Sequence, residues 1–99
     1  MDHEAGMARL KACREEIDKI DVDIVALINK RTVAGEEIGR VKQQLAMAIY
    51  EPKREEQVFA NITSNNRGPL PDDAVKRMFE RIIDEMRNVQ RLKMKKEGA

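Results

Sequence analysis

From Leu10 to Leu45 every third or fourth residue falls on one helical edge, and this heptad seam limits the possible folds more than any other feature. It reads Leu10, Cys13, Ile17, Ile20, Ile24, Leu27, Arg31, Ala34, Ile38, Val41 and Leu45. Such a repeat marks one long helix whose a/d edge is covered by partner helices. No proline interrupts the chain before Pro52, so the spacing predicts a first helix over residues 8–47. That helix is about 60 Å long, whereas a compact domain of this length is only about 35 Å across. Folded alone, it would leave much of its apolar edge in water. With one sequence in hand, the simplest cover is a second copy of the chain.

The seam holds one permanent charge, Arg31. A guanidinium inside an apolar edge is costly unless something anionic meets it. Lys42 lies eleven residues on, three turns plus roughly 20°, and so projects from nearly the same face, about 16 Å along the axis. Two long cationic stems leaning together leave room for one small acid. A buried Arg–Glu pair that holds two helices in register accounts for Arg31 equally well.

The remainder predicts two shorter helices and no strand, an all-α chain of three helices. Glu51 and Pro52 suit a helix start, with proline where its missing N–H costs nothing. Val58, Phe59 and Ile62 form a short apolar stripe, and Glu55 shares its face. Residues 65–71 (NNRGPLP) read as a turn, after which Asp72 or Asp73 can cap the third helix. There Val75, Phe79, Ile82, Met86 and Val89 keep the 4-3-4-3 spacing, widened by Met78 and Ile83. Gln90 continues that face, as a satisfied core amide or a ligand contact. Residues 1–7 and 93–99 are expected to fray around a single domain spanning 1–99. The run Lys93, Lys95, Lys96 reads as a solvated tail.

Composition excludes several classes. Lys and Arg total 19 against 18 Asp and Glu, a net charge of +1, without the basic excess of a general nucleic-acid binder. The sole cysteine, Cys13, cannot form an internal disulfide and reads as a small seam filler. The sole histidine, His3, stands in the frayed start, which argues against a metal centre or a histidine-based triad. No apolar run reaches membrane-spanning length, so a cytoplasmic protein is the expectation.

Two further groups need an account. Glu51 and Glu55 are one turn apart and can share a pocket, or simply complement the helix dipole. Arg14 adjoins the seam but lies about 25 Å from Arg31 along the helix. It therefore cannot meet one small ligand together with the Arg31 of its own chain. It can reach the partner's Arg31 if two long helices cross, or it can pair with Asp18 at i+4.

Taken together, these stretches resemble the all-helical chorismate mutases, the AroQ class. The resemblance is carried by residues 10–17 (LKACREEI), 27–42 (LINKRTVAGEEIGRVK), 50–56 (YEPKREE) and 79–90 (FERIIDEMRNVQ). It implies a homodimer of three-helix chains intertwined around their first helices, with each of two shared sites taking one arginine from the neighbouring chain. By position, it makes Arg14 the donated arginine and Arg31 the same-chain arginine on a substrate carboxylate. Lys42 and Gln90 would address the ether oxygen. Glu55 would accept from the substrate hydroxyl, and Glu51 stands nearby where relatives often carry aspartate. Met86 replaces a small hydroxylated residue, so any side-chain hydrogen bond from that position is lost.

The implied substrate is chorismate, with no cofactor. Its rearrangement to prephenate asks for a fixed chair-like geometry and for donors at an ether oxygen that gains charge. An isochorismate-pyruvate lyase on the same scaffold is the nearest alternative. A non-catalytic helical dimerisation or regulatory module is another, although it leaves Arg31, Lys42 and Gln90 on inward faces without a reason. The resemblance also allows fusion to, or association with, another shikimate-pathway enzyme.

Overall fold

A computed structural model describes residues 1–97, without the side chains of Met94, Lys96 and Glu97. It contains three helices, α1 (His3–Gln44), α2 (Pro52–Ser64) and α3 (Asp72–Glu97). The all-α expectation holds. Two compact units divide the chain, Met1–Ala34 and the stretch from Gly35 onward.

In the first unit α1 begins five residues earlier than its apolar period predicts, because Asp2 caps it. The Asp2 Oδ1 accepts from the Ala5 backbone N–H at 2.7 Å, and Gly6 N–H donates to the Asp2 carbonyl at 3.0 Å. A side-chain acceptor for an orphan N–H of the first turn starts a helix without any apolar residue. His3, placed by sequence in a frayed segment, is therefore the first helical residue. The seam itself lies open in the single chain, with Ile17 54% exposed and Leu27 63% exposed. Cys13, expected as a covered filler, is exposed along with it.

In the second unit α1 ends at Gln44 rather than residue 47. Met47 N–H donates to the Lys42 carbonyl at 2.8 Å, and Ala46 N–H to the Gln43 carbonyl at 3.2 Å. These are the two bonds of a Schellman cap, and the residue between them, Ala46, sits at φ 55°, where glycine is the usual occupant.

α2 opens on Pro52 as its sequence suggests. Its N-cap residue, Glu51, forms no side-chain cap bond. α2 packs on α3 through the half-buried Val58, Phe59 and Ile62 against Val75, Phe79, Ile82 and Ile83, with the Lys76 ammonium 5.3 Å from the Phe59 ring centre. The turn between them is organised by Asn66. Its Nδ2 donates to the Leu70 carbonyl at 2.8 Å and to Asp72 Oδ1 at 2.7 Å, and its Oδ1 accepts from Gly68 N–H at 3.1 Å.

Neither Asp72 nor Asp73 caps α3. Both lie inside its first turn, where the helix dipole favours a carboxylate, and the Pro71 carbonyl accepts the first backbone bonds. α3 then runs to Glu97 through most of the segment expected to fray, while residues 98 and 99 lie outside the described part. Lys93, read as part of a solvated tail, forms an ion pair with Glu36 of α1. That contact, foremost as a hydrogen bond, holds the Glu36 carboxyl below its ordinary pKa.

The left-handed conformation of Ala46 costs an L-residue about 1–2 kcal/mol, part of which glycine's greater freedom in the unfolded chain offsets. Ala46→Gly should therefore raise stability by up to about 1 kcal/mol. Denaturant unfolding at matched protein concentration reads this directly. An unchanged or lowered midpoint would mean that the cap is not under strain.

Candidate active site

Lys42 occupies the last turn of α1, whose carbonyls the Schellman cap has already satisfied. Its ammonium is then held from two sides. It donates to the Ile49 carbonyl at 3.1 Å and pairs with Glu51 Oε1 at 2.9 Å, leaving the side chain only 15% exposed. Glu51 is therefore no idle dipole partner, since its carboxylate ties the start of α2 to the end of α1. An ammonium has three N–H donors, and two are spent on this scaffold.

Gln90 reaches α1 from the inner face of α3. Its Nε2 donates to the Gly35 carbonyl at 2.8 Å. The side chain lies along a strip without Cβ atoms: a methyl on Gly35 would stand 3.5 Å from Nε2, and one on Gly39 would stand 3.8 Å from the amide carbon. Gly39 is one turn before Lys42 on the same helix. An amide nitrogen carries two N–H donors, so the Gly35 bond fixes the group and leaves one more. The Lys93–Glu36 pair sits three residues further along α3 and fastens the same contact.

Glu55 lies in the first turn of α2 and faces α3. Arg87 Nη2 donates to its Oε1. The same guanidinium stands 5.0 Å from the Tyr50 ring centre and 3.8 Å from Asp84 Oδ1. These residues, with Phe59, Glu80 and Ile83, line an open cavity of about 340 Å³.

Sequence reasoning does not single out Arg87. The signal is available, because Arg87 stands four residues after Ile83 and three before Gln90, a charge within the inner stripe of α3. Met86 is half-buried on that stripe and supplies no hydroxyl.

Arg14 and Arg31 belong to the other unit. Seventeen residues separate them on one continuous helix, about 25 Å. Arg14 is exposed beside Met7, Leu10 and Lys11, and among the described residues it forms no ion pair with Asp18. The structure thus brings Lys42 to Glu51 and Gln90 to Gly35, sets Glu55 under Arg87, and keeps Arg14 apart from Arg31.

Comparison with known proteins agrees in family and in fold. The family model for chorismate mutase type II matches residues 13–91. The chain is 40% identical over 78 residues to the bifunctional chorismate mutase/prephenate dehydratase of Neisseria gonorrhoeae, an alignment that covers 79% of this chain and 21% of that protein. A protein of the same description from Aquifex aeolicus is 35% identical over 81 residues, or 78% of this chain and 22% of the other. The chain thus spans about a fifth of the length of these curated relatives. Among solved structures, chorismate mutase from Thermus thermophilus superposes with a TM-score of 0.81 at 34% identity, covering 84% of this chain and 94% of that one. Chorismate mutase from Helicobacter pylori in complex with prephenate gives 0.82 at 25% identity, covering 89% and 96%. On this agreement of sequence, helices and topology, the chain belongs to the chorismate mutase type II family.

Proposed function

We propose that this chain catalyses the rearrangement of chorismate to prephenate, as a cofactor-free homodimeric enzyme of the cytoplasm. The observation that carries the reading is the Gln90 amide. It is pinned to the Gly35 carbonyl one turn from Gly39 and two from Lys42, with an N–H to spare. Two donors fixed along the same stretch of α1, this amide and the Lys42 ammonium, suit a reaction in which charge grows on an ether oxygen as its C–O bond breaks. The Claisen step moves no proton and forms no covalent intermediate, so it needs neither a general base nor a nucleophile.

Chorismate carries two carboxylates, and two arginines match them through bidentate forks. In this reading Arg31 holds one carboxylate from the same chain and Arg14 of the neighbouring chain holds the other. Glu55 accepts from the substrate hydroxyl, with Glu51 close by as the counter-ion of Lys42. The separation of Arg14 from Arg31 supports a site shared between chains, and the open seam from Ile17 to Leu27 supports the dimer that would share it. The bifunctional relatives support work alongside a second enzyme of aromatic amino acid biosynthesis.

The test is the loss of chorismate absorbance on adding the purified protein, followed by identification of the product. Prephenate supports the mutase. Salicylate and pyruvate from isochorismate would favour the lyase, and no turnover of either substrate would leave only a helical dimerisation module.

Lys42→Ala should lower kcat by roughly 10²–10³-fold, the usual cost of a lost oxyanion donor, with helicity by circular dichroism little changed. Near-native turnover would remove Lys42 from the mechanism. Gln90→Glu should be active only on the acid side. A carboxylate at this position would oppose the Gly35 carbonyl and the developing oxyanion, so its pKa rises. The protonated form, present below that raised pKa, can still donate, and activity is lost as pH climbs through it. A flat profile would show that Gln90 is not at the ether oxygen.

Arg14→Ala and Arg31→Ala should each be nearly inactive as homodimers. After subunit exchange at equal mixing, about half the dimers are hetero and each regains one intact site. About a quarter of wild-type activity should therefore return. No recovery after verified exchange would place both arginines in one chain's site.

A further inference from the structure

Arg87 puts a charge on the otherwise uncharged inner stripe of α3, and nothing in the Claisen chemistry calls for it. A guanidinium sharing a cavity wall with Ile83, Phe59 and the ring of Tyr50 is desolvated at a cost, with its side chain only 20% exposed. Its contacts show where that cost is met. It binds Oε1 of Glu55, covers the Tyr50 ring at 5.0 Å and stands 3.8 Å from Asp84. The Glu55 carboxylate is itself only 25% exposed. A carboxylate has a second oxygen, and the Arg87 bond leaves Oε2 to meet another donor.

We propose that Arg87 is a positioning residue for the mutase reaction, holding Glu55 ionised and oriented so that Oε2 accepts from the substrate hydroxyl. The proposal rests on the mutase reading above. The charges that face Glu55 explain why it needs a cation of its own. From α3 come Glu80 and Asp84 along the cavity wall, and Arg87 bridges Asp84 and Glu55. At the head of α2 stands Glu51, one turn earlier, whose charge Lys42 of α1 already takes up. The loop before it adds the neutral Tyr50. Without Arg87, Glu55 is a half-buried carboxylate among other carboxylates, and like charges together with desolvation both raise its pKa. Protonated, Glu55 offers the hydroxyl a neutral hydrogen bond, roughly half as strong as a charge-assisted one.

A carboxylate anchored through one oxygen also explains the Tyr50 contact. The ring lies against the guanidinium at 5.0 Å while its fork meets Glu55 of α2, a contact that favours this rotamer over a fully solvated one. The shared cavity makes this arrangement a part of the site rather than a surface ion pair.

The test compares wild type, Arg87→Met and Arg87→Lys in two readouts. One is the pH profile of kcat/KM for chorismate. The other is the titration of the Glu55 side-chain carboxyl by ¹³C NMR, assigned with Glu55→Gln. In Arg87→Met the Glu55 midpoint should rise by about one unit or more. The acid limb of kcat/KM should move up with it, and the plateau should fall by about tenfold. Arg87→Lys, which keeps the charge but not the fork, should restore most of the limb and only part of the plateau.

A uniform loss with no shift in either profile would make Arg87 a merely structural contact and overturn the proposal. So would an active wild type whose Glu55 midpoint ignores Arg87. A wild type inert towards chorismate would fail the mutase reading and the catalytic role of Arg87 with it, and a titration shift in that inert protein would show that the ion pair itself was described correctly.

Discussion

The Lys42 ammonium is the contact on which the second unit is organised. It joins the last turn of α1 to the loop carbonyl of Ile49 and to the carboxylate that opens α2. The Schellman bonds to the Lys42 and Gln43 carbonyls fix the turn from which the side chain departs. The chain leaving α1 is thereby folded back so that Glu51 and Glu55 meet the inner faces of their neighbours. Lys42 is only 15% exposed whereas Glu51 is 41% exposed, so it is the ammonium that depends on the pair for compensation of its charge.

A common rule governs the three polar groups of this unit. Lys42 spends two of its three donors on the scaffold, Gln90 one of its two, and Glu55 one oxygen of its two. Each group is held by what it has given up and keeps a donor or acceptor in what remains. Orientation is thus settled during folding rather than when a ligand arrives, which is the condition under which fixed dipoles stabilise charge effectively.

Much of this is legible in the letters. The seam from Leu10 to Leu45 predicts the long helix, Pro52 the start of α2, and residues 65–71 the turn before α3. What escapes does so for identifiable reasons. The first two turns of α1 precede the seam and rest on an Asp2 side-chain bond, to which an apolar period is blind. The end of α1 uses Ala46 where glycine would have signalled the cap. The carbonyls of Gly35 and Ile49, which anchor Gln90 and Lys42, are backbone groups that no side-chain pattern can announce. Arg87 escapes because a charge in the basic last part of α3 looks like surface until its spacing from Ile83 and Gln90 is counted. The roles proposed for Arg14 and Arg31 come only through resemblance, since spacing alone leaves each with an ordinary ion-pair reading.

The glycines at 35 and 39 carry a cost that reaches beyond the space they clear for Gln90. Each is worse than alanine in a helix interior by about 1 kcal/mol, and the two stand a single turn apart. This turn is intrinsically the easiest stretch of α1 to open, so amide hydrogen exchange there would be fast but for the Gln90 and Lys93 contacts that close over it. Local softness is thereby confined to the backbone that holds the amide donor, and the order of that turn comes from α3 rather than from the helix itself.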